Sequence, residues 1–381
     1  MPNYQNRFQT VQQRMAELNI DLMFLPYSAN LDYVTGIQRE EQNFGNTMYP
    51  GDWMAGAWIA PGRAPILTLP RMQADFHGGA HGGFDVRVLP DAADPKVLVR
   101  DVLTALGITG TATVAIEDRA RAETVLNLQS LISNLIFTSA SAIMRPLRVI
   151  KDADEIAILR KAGNITEAAY IATREKLRHG MTTLDLITEV NFQLKKHGSY
   201  APSFQTSFYN MGRNFPFDFQ NKDEVMLLPL VAPVSISFDF GSVLDGYCYD
   251  YGRSVFFGEP DEEYRRCYGL VLASQAAGIA ALKTGNTCAD ADAAARQVIE
   301  VAGYGYAFRH RLGHGIGMDV HEPPFLTKSD NTVLQPGMCF TAEPSIFIPH
   351  QFGMRVEDIV VVGDTGGDCL TTQFKELHVV V

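Results

Sequence analysis

Apolar and polar positions recur along the first third of the chain with two different periods. Val11, Met15 and Leu18 keep helical spacing within Phe8–Leu18, and the apolar run Asp21–Pro26 follows, so a helix feeding a short buried strand is predicted. Further strands are predicted at Ala57–Ala60, Pro65–Leu69, Val86–Leu89 and Ala112–Ile116, with helices near 95–106 and 120–134. That rhythm predicts an α/β unit in which flanking helices cover most of a sheet. Two stretches fall outside it. Residues 38–56 carry no sustained period and read as a long loop. The Gly-rich segment 77–83 holds two histidines but reads as a flexible turn, because no carboxylate stands at metal-ligand spacing from them.

The pattern changes near Arg145-Pro146. Asp152, followed three residues later by Glu155, is a capping-box signature, and Ile156, Leu159, Ala162, Ile165 and Ala169 then recur at helical spacing. More helices are predicted over Thr183–His197, stopped by Gly198, and over about 261–283 and 288–302; segments 234–257 and 338–381 read as antiparallel strands. The expected layout is two domains, 1–147 and 148–381, the second α+β. A chain of 381 residues exceeds the length over which one core keeps growing, which agrees.

Composition removes several function classes. The chain is 46% hydrophobic and 20% charged, with no apolar run long enough to cross a bilayer, so no membrane partner is expected. Its N-terminus is polar and lacks a secretory core. The five cysteines all lie at or after Cys248 and form no CxxC pair, so reduced thiols and a cytoplasmic location are expected. A formal charge of −11 repels phosphate backbones, and nucleic acid is not an expected partner.

Candidate chemistry begins at Val234–Gly241. Val234, Ile236, Phe238 and Phe240 alternate with Ser235, Ser237, Asp239 and Gly241, so one face of the strand is core and the other small and polar. Asp245-Gly246 is a two-residue hairpin signal. With that turn Leu244 pairs with Tyr247, Gly241 faces Asp250 and Asp239 faces Gly252. Asp239 and Asp250 then become diagonal neighbours about 7–8 Å apart at the backbone, a spacing suited to two carboxylates converging on paired cations. Taken alone, two strand aspartates fit a solvated sheet face at least as well. The rest of the chain changes the weighting: His310, His314 and His321 fall within twelve positions among glycines, and Glu343 and Glu357 sit on further alternating segments. One histidine and four carboxylates make a mixed N/O donor set suited to Mn, Fe, Co or Zn.

These motifs, in this order, resemble the pita-bread metallohydrolases, the family of methionine aminopeptidase, aminopeptidase P and prolidase, with creatinase as a metal-free relative. The interval of eleven residues from Asp239 to Asp250 and of seven from His314 to His321 match, and the Arg-Pro-Leu-Arg and Lys-Asp-Ala-Asp-Glu-Ile junction extends the likeness to the aminopeptidase P, prolidase and creatinase branch over essentially the whole chain. The resemblance implies an α+β fold: an N-terminal creatinase-like α/β domain, then a pita-bread domain with helices packed on a curved antiparallel sheet. It implies a hydrolase of peptide or amide C–N bonds holding two divalent ions per chain, manganese first and Co, Zn or Fe as alternatives. Asp239, Asp250 and Glu357 would hold one ion, and Asp250, His314, Glu343 and Glu357 the other. Glu343 would shuttle a proton, His321 stabilise the carbonyl oxygen and His310 contact substrate, although both histidines also fit structural hydrogen-bonding roles. Arg355 either contacts substrate or neutralises Glu357 and Asp358. A homodimer acting on a small peptide or amide is expected.

Three departures bear on specificity. No histidine lies between His197 and His310, where prolidase-like relatives usually place another pocket histidine; the region reads instead as aromatic and amide-rich around Phe208, Tyr209, Asn210, Asn214, Phe215 and Phe217. The segment before Val234 lacks a Gly-Asp pair, and Gly252 stands where many relatives carry Thr. All five ligand positions are kept, which disfavours an inactive binding module or a metal-free enzyme. Proline-directed exopeptidase activity is the leading implication. A specialised small-molecule amidase is the alternative, in which ordinary X-Pro dipeptides turn over weakly.

Overall fold

The computed structural model describes residues 3–39, 51–76, 84–213, 215–216, 222–371 and 374–381. The chain forms two units, Met1–Arg148 and Val149–Val381. In the first, a six-stranded mixed sheet runs in the order Asp85–Leu89, Ile66–Pro70, Gly56–Ile59, Leu22–Pro26, Ala112–Ile116, Leu135–Ser139. Its central strands are apolar on both faces because both faces are covered: Leu22, Phe24 and Trp58 are fully buried. Helices Tyr4–Glu17, Pro95–Ala105 and Ala122–Leu131 stand where the period predicts them.

Three features depart from the pattern. Helix Ala29–Thr35 has every residue buried, so no polar face marks it in the sequence. Strand Leu135–Ser139 is an edge strand whose exposed positions mask its alternation. Pro146 does not break the chain but lies inside helix Ser141–Val149, held by the buried Ile143 and Met144. The turn at 77–83 and residues 40–50 of the long loop lie outside the described residues. The end of that loop makes one 3-10 turn, Asp52–Met54, that buries Trp53 and Met54.

In the second unit, helix Ala153–Arg174 starts on the expected box: Glu155 N donates to Asp152 and Asp152 N donates to Glu155, both at 2.9 Å. Helices Thr183–Lys196, Glu262–Ala281 and Cys288–Val301 follow. One sheet has the order His378–Val380, Tyr251–Phe257, Val234–Phe240, Ser207–Met211; another has Glu322–Leu326, Gly313–Gly315, Cys339–Ala342, Asp358–Val361, Asp368–Cys369. Strands Ser345–Ile348 and Phe352–Arg355 form a separate hairpin. The expectation of antiparallel strands fails at one place, since His378–Val380 lies parallel to Tyr251–Phe257. That strand arrives from the other sheet rather than through a hairpin, so no turn dictates its direction.

Candidate active site

The Asp245-Gly246 turn fixes the site's first half. Both residues have positive φ, 47° and 80°, as a type I′ turn requires. The returning strand then pairs Leu244 with Tyr247 and Asp239 with Gly252, which puts Asp239 and Asp250 on one face. The serines of that face are not solvated. Ser235 accepts from Gly353 N and Ser254 from Arg355 N, each at 2.9 Å, while Ser237 and Ser254 bond each other at 2.8 Å. Small polar side chains thus dock the Phe352–Arg355 strand onto the sheet and carry Arg355 over Asp239.

The second half comes from the other sheet. His314 sits on Gly313–Gly315, its amide bonded to Thr341 Oγ1 at 3.0 Å. Glu343 follows Cys339–Ala342, held by its N–H on Leu312 O at 2.8 Å. Glu357 precedes Asp358–Val361, and its N–H donates to Gly252 O at 2.9 Å. Glycine at 252 leaves room for it: a Cβ there would lie 2.9 Å from Glu357 Oε2. Beneath, the fully buried Arg253 donates to Glu357 O and to Asp358 Oδ1, both at 2.6 Å, and Lys375 reaches Asp358 at 2.9 Å.

These elements bring Asp239, Asp250, His314, Glu343 and Glu357 to one pocket of about 340 Å³, with His310 and His321 in its wall. Atoms of Asp250, His314 and Glu357 lie within 4.8 Å of one another. His314 Nε2 is 3.4 Å from Glu343 Oε1 and 3.5 Å from Asp250 Oδ2. Asp250 Oδ1 and Glu357 Oε2 are buried and have no hydrogen-bond partner. Such acceptors cost stability unless a cation or donor meets them. Two orphan carboxylate oxygens on residues that cluster with the His314 imidazole, with no thiolate among them, fit a divalent cation.

Arg355 lies on the other side of the cluster. Its Nη1 stands 2.9 Å from Asp239 Oδ2, 3.6 Å from Glu343 Oε2 and 3.9 Å from Glu357 Oε2, and its guanidinium lies over the adjoining Tyr209 and Phe347 rings. It pairs with Glu357, as one expectation had it, but Asp358 belongs to Arg253 and Lys375. Burial and the nearby Asp250 and Glu343 push Glu357 well above the usual carboxylate range. Burial raises Asp239 to about 6 despite Arg355. Glu343 is also buried, yet Arg355, His314 and His310 hold it below its ordinary value. Burial draws His314 down, but Asp250 and Glu343 outweigh it and leave the imidazole raised.

The two wall histidines differ. His321 is exposed at the pocket wall, its ring 4.2 Å from that of His314, and partial desolvation followed by the His314 charge lowers its pKa. His310 has both nitrogens engaged: Nδ1 donates to Arg311 O at 2.7 Å, which leaves Nε2 to accept from the Ser345 hydroxyl. Burial and then Arg355 lower it to about 4, so the ring is neutral. Upstream, strand alternation divides the aromatic and amide residues. Ser207 and Tyr209 face the pocket, whereas Phe208 packs on Phe238 and Asn210 donates to Thr183, so those two offer substrate nothing. Phe215 is buried outside the pocket lining, and Asn214 and Phe217 lie outside the described residues.

Comparison with known proteins agrees with this arrangement. Metallopeptidase family M24 matches residues 157–364, and the creatinase/prolidase N-terminal domain matches residues 7–150. The chain belongs to metallopeptidase family M24. It is therefore a hydrolase of a family that uses divalent metal ions, built as a creatinase-type domain followed by a pita-bread α+β domain. It is 30% identical to a putative dipeptidase of Bacillus subtilis, over 98% of this chain and 99% of that one. It is 31% identical to an Xaa-Pro dipeptidase of Lactobacillus helveticus, over 97% and 98%. A dipeptidase structure from Pyrococcus horikoshii superposes with a TM-score of 0.86 at 27% identity, over 98% of this chain and all (100%) of that one.

For this M24 member, sequence reasoning missed the residues that support the site. Arg253, Ser254 and Ser345 reach backbone or side chains about a hundred or about thirty-five residues away, and no local spacing reveals such pairings. Arg311 stands beside a recognised motif histidine, and its charge next to His310 was the available signal. Among the described residues no helix is long and apolar enough to cross a membrane.

Proposed function

We propose that this chain is a dinuclear-metal Xaa-Pro dipeptidase. The observation that carries the reading is the pair of buried, unpartnered oxygens on Asp250 and Glu357 converging with His314. In this reading Asp239, Asp250 and Glu357 hold one ion and Asp250, His314, Glu343 and Glu357 the other, with Asp250 and Glu357 shared. The N/O donor set favours manganese, with cobalt, zinc or iron as alternatives, and the working form is a cytoplasmic homodimer. When bound, the ions supply Lewis acidity and a nucleophile at neutral pH. The remaining work belongs to side chains. Glu343 Oε2, on the side facing Arg355, accepts a proton and returns it to the leaving nitrogen. His321 donates one N–H to the carbonyl oxygen as charge develops there. His310 forms a neutral wall oriented by Ser345.

The dipeptidase activity for which the relatives are named supports a dipeptide substrate, and a pocket near the low end of the about 300–1,000 Å³ typical of small-molecule sites supports a compact one. The alternative is a small-molecule amidase, favoured by a wall in which Phe204, Ser207 and Tyr209 stand where relatives usually place a histidine. Metal analysis combined with steady-state kinetics on Gly-Pro, Ala-Pro and a panel of small amides separates them. The expected result is two ions per chain and kcat/KM of about 10⁴ M⁻¹s⁻¹ or more on an X-Pro dipeptide, with both metal and activity lost in Glu357→Ala. Turnover of an amide with no X-Pro cleavage would replace the dipeptidase reading, and a fully active, metal-depleted Glu357→Ala enzyme would end the dinuclear one.

A further inference from the structure

Arg311 is the charged group of the pocket that the catalytic reading leaves unused. Its side chain lines the cavity, and its guanidinium carbon lies over the Phe325 ring, 5.1 Å from the centroid. Phe325 pairs across the strands with His314, so this charge stands one strand from the metal-ligand cluster. Its influence is felt there: it lowers His310, His321 and Glu343. Yet among the described residues it makes no ion pair and no side-chain hydrogen bond, and its Nε is buried without a partner. Arg355, the other pocket arginine, is committed to Asp239, Glu343 and Glu357.

A planar guanidinium braced by a ring, lining a small pocket and without a partner of its own, is pre-organised for a carboxylate. Among the described residues no carboxylate comes within ion-pair distance of Arg311, so the anion has to come with the ligand. Since one extended residue spans only about 3.5 Å, a carboxylate one residue beyond a bond cleaved at the His314 and Glu343 end fits so small a cavity, whereas a continuing peptide does not. We propose that Arg311 is a specificity-determining residue that binds the free C-terminal carboxylate of a dipeptide substrate. This rests on the dipeptidase reading above and deepens it, because it makes the enzyme selective for substrates that end one residue past the scissile bond.

The test compares Ala-Pro with Ala-Pro-amide in metal-loaded wild type, Arg311→Gln and Arg311→Lys, with metal content and far-ultraviolet dichroism checked for each. Charge-assisted hydrogen bonds of this kind correspond to about 10- to 150-fold in binding. Wild type should prefer the free acid by a factor in that range, expressed mainly in KM. In Arg311→Gln the acid-over-amide ratio should collapse towards one, and Arg311→Lys, which keeps the charge but loses the fork, should recover part of it. Asp-Pro-amide, which carries its carboxylate on a side chain, should behave like Ala-Pro-amide; cleavage as efficient as that of Ala-Pro would move the anion to the N-terminal residue and overturn the proposal. Calorimetric binding of free proline against prolinamide decides the point whether or not Ala-Pro is cleaved. If wild type binds the two alike, or if Arg311→Gln retains the full preference, Arg311 is not the carboxylate site. Absence of Ala-Pro cleavage with intact proline selectivity would instead count against the dipeptidase reading alone.

Discussion

The buried ion pair between Lys151 and Glu322 gives the sharpest test of how the fold supports the pocket. Lys151 Nζ stands 3.2 Å from Glu322 Oε2, and the two side chains are only 3% and 6% exposed. At that separation, with an effective dielectric constant near 20, two unit charges attract by about 5 kcal/mol. Removing one partner of such a pair usually costs about 3–5 kcal/mol, because the other charge is stranded in the interior. Glu322 follows His321 directly and also accepts Asp319 N at 3.0 Å, so a stranded carboxylate would disturb the turn that presents His321. Lys151→Met is therefore expected to lose about 3–5 kcal/mol in urea unfolding at constant m-value. Glu322→Gln should lose a comparable amount, and the double variant should recover a coupling energy of about 2–3 kcal/mol. The folded fraction of Lys151→Met should also show reduced kcat with its bound metal retained. A single-variant cost below about 1 kcal/mol, or an additive double variant, would refute the reasoning.

Two further perturbations probe other links. Asp32 is buried in helix Ala29–Thr35, and burial raises its pKa from 3.8 to about 7 in spite of Arg39, Arg148 and Arg7. The folded chain therefore holds a proton that the unfolded chain has released, so this contribution to stability is complete below pH 3.8 and is lost as pH rises through about 7. The full swing is on the order of 4 kcal/mol, and Asp32→Asn should flatten that part of the melting-temperature profile between pH 5 and 8; parallel profiles would sink the idea. Gly241→Ala and Gly252→Ala should part company. The first places a Cβ 1.7 Å from the Tyr249 carbonyl oxygen, which cannot yield, and should cost about 3 kcal/mol or more. The second meets the movable Glu357 carboxylate and should lower metal content at a stability cost within about 1 kcal/mol; unchanged metal binding in Gly252→Ala would show that Glu357 has room to spare.

What the sequence disclosed followed a physical division. Residues specified by local chemistry were legible: the Asp152 and Glu155 box, the Asp245-Gly246 turn and hence the Asp239 register, and the glycine-spaced run around His314. Strands Gly313–Gly315 and Glu322–Leu326 were not, because one is only three residues long and the other contains Pro323 and Pro324, which read as a turn. Of the aromatic and amide residues Phe208, Tyr209 and Asn210 on strand Ser207–Met211, alternation gives the pocket only Tyr209, beside Ser207. The serines facing Asp239 looked like a solvated face because the strand that covers them lies more than a hundred residues away.

The position of Arg355 bears on which carboxylates the two ions would share. Three buried acids, Asp250, Glu343 and Glu357, beside the partly buried Asp239, need compensating charge. Arg355 provides it unevenly: its Nη1 is within hydrogen-bonding distance of Asp239, more distant from Glu343 and 3.9 Å from Glu357, and it has no contact of that kind with Asp250. The oxygens left without a hydrogen-bond donor are Asp250 Oδ1 and Glu357 Oε2, the latter 3.9 Å from Arg355 Nη1. The demand for positive charge therefore peaks between Asp250 and Glu357, next to His314. The proposed bridging role of these two carboxylates thus has an electrostatic argument beside the one from motif order, and the two arguments draw on different residues.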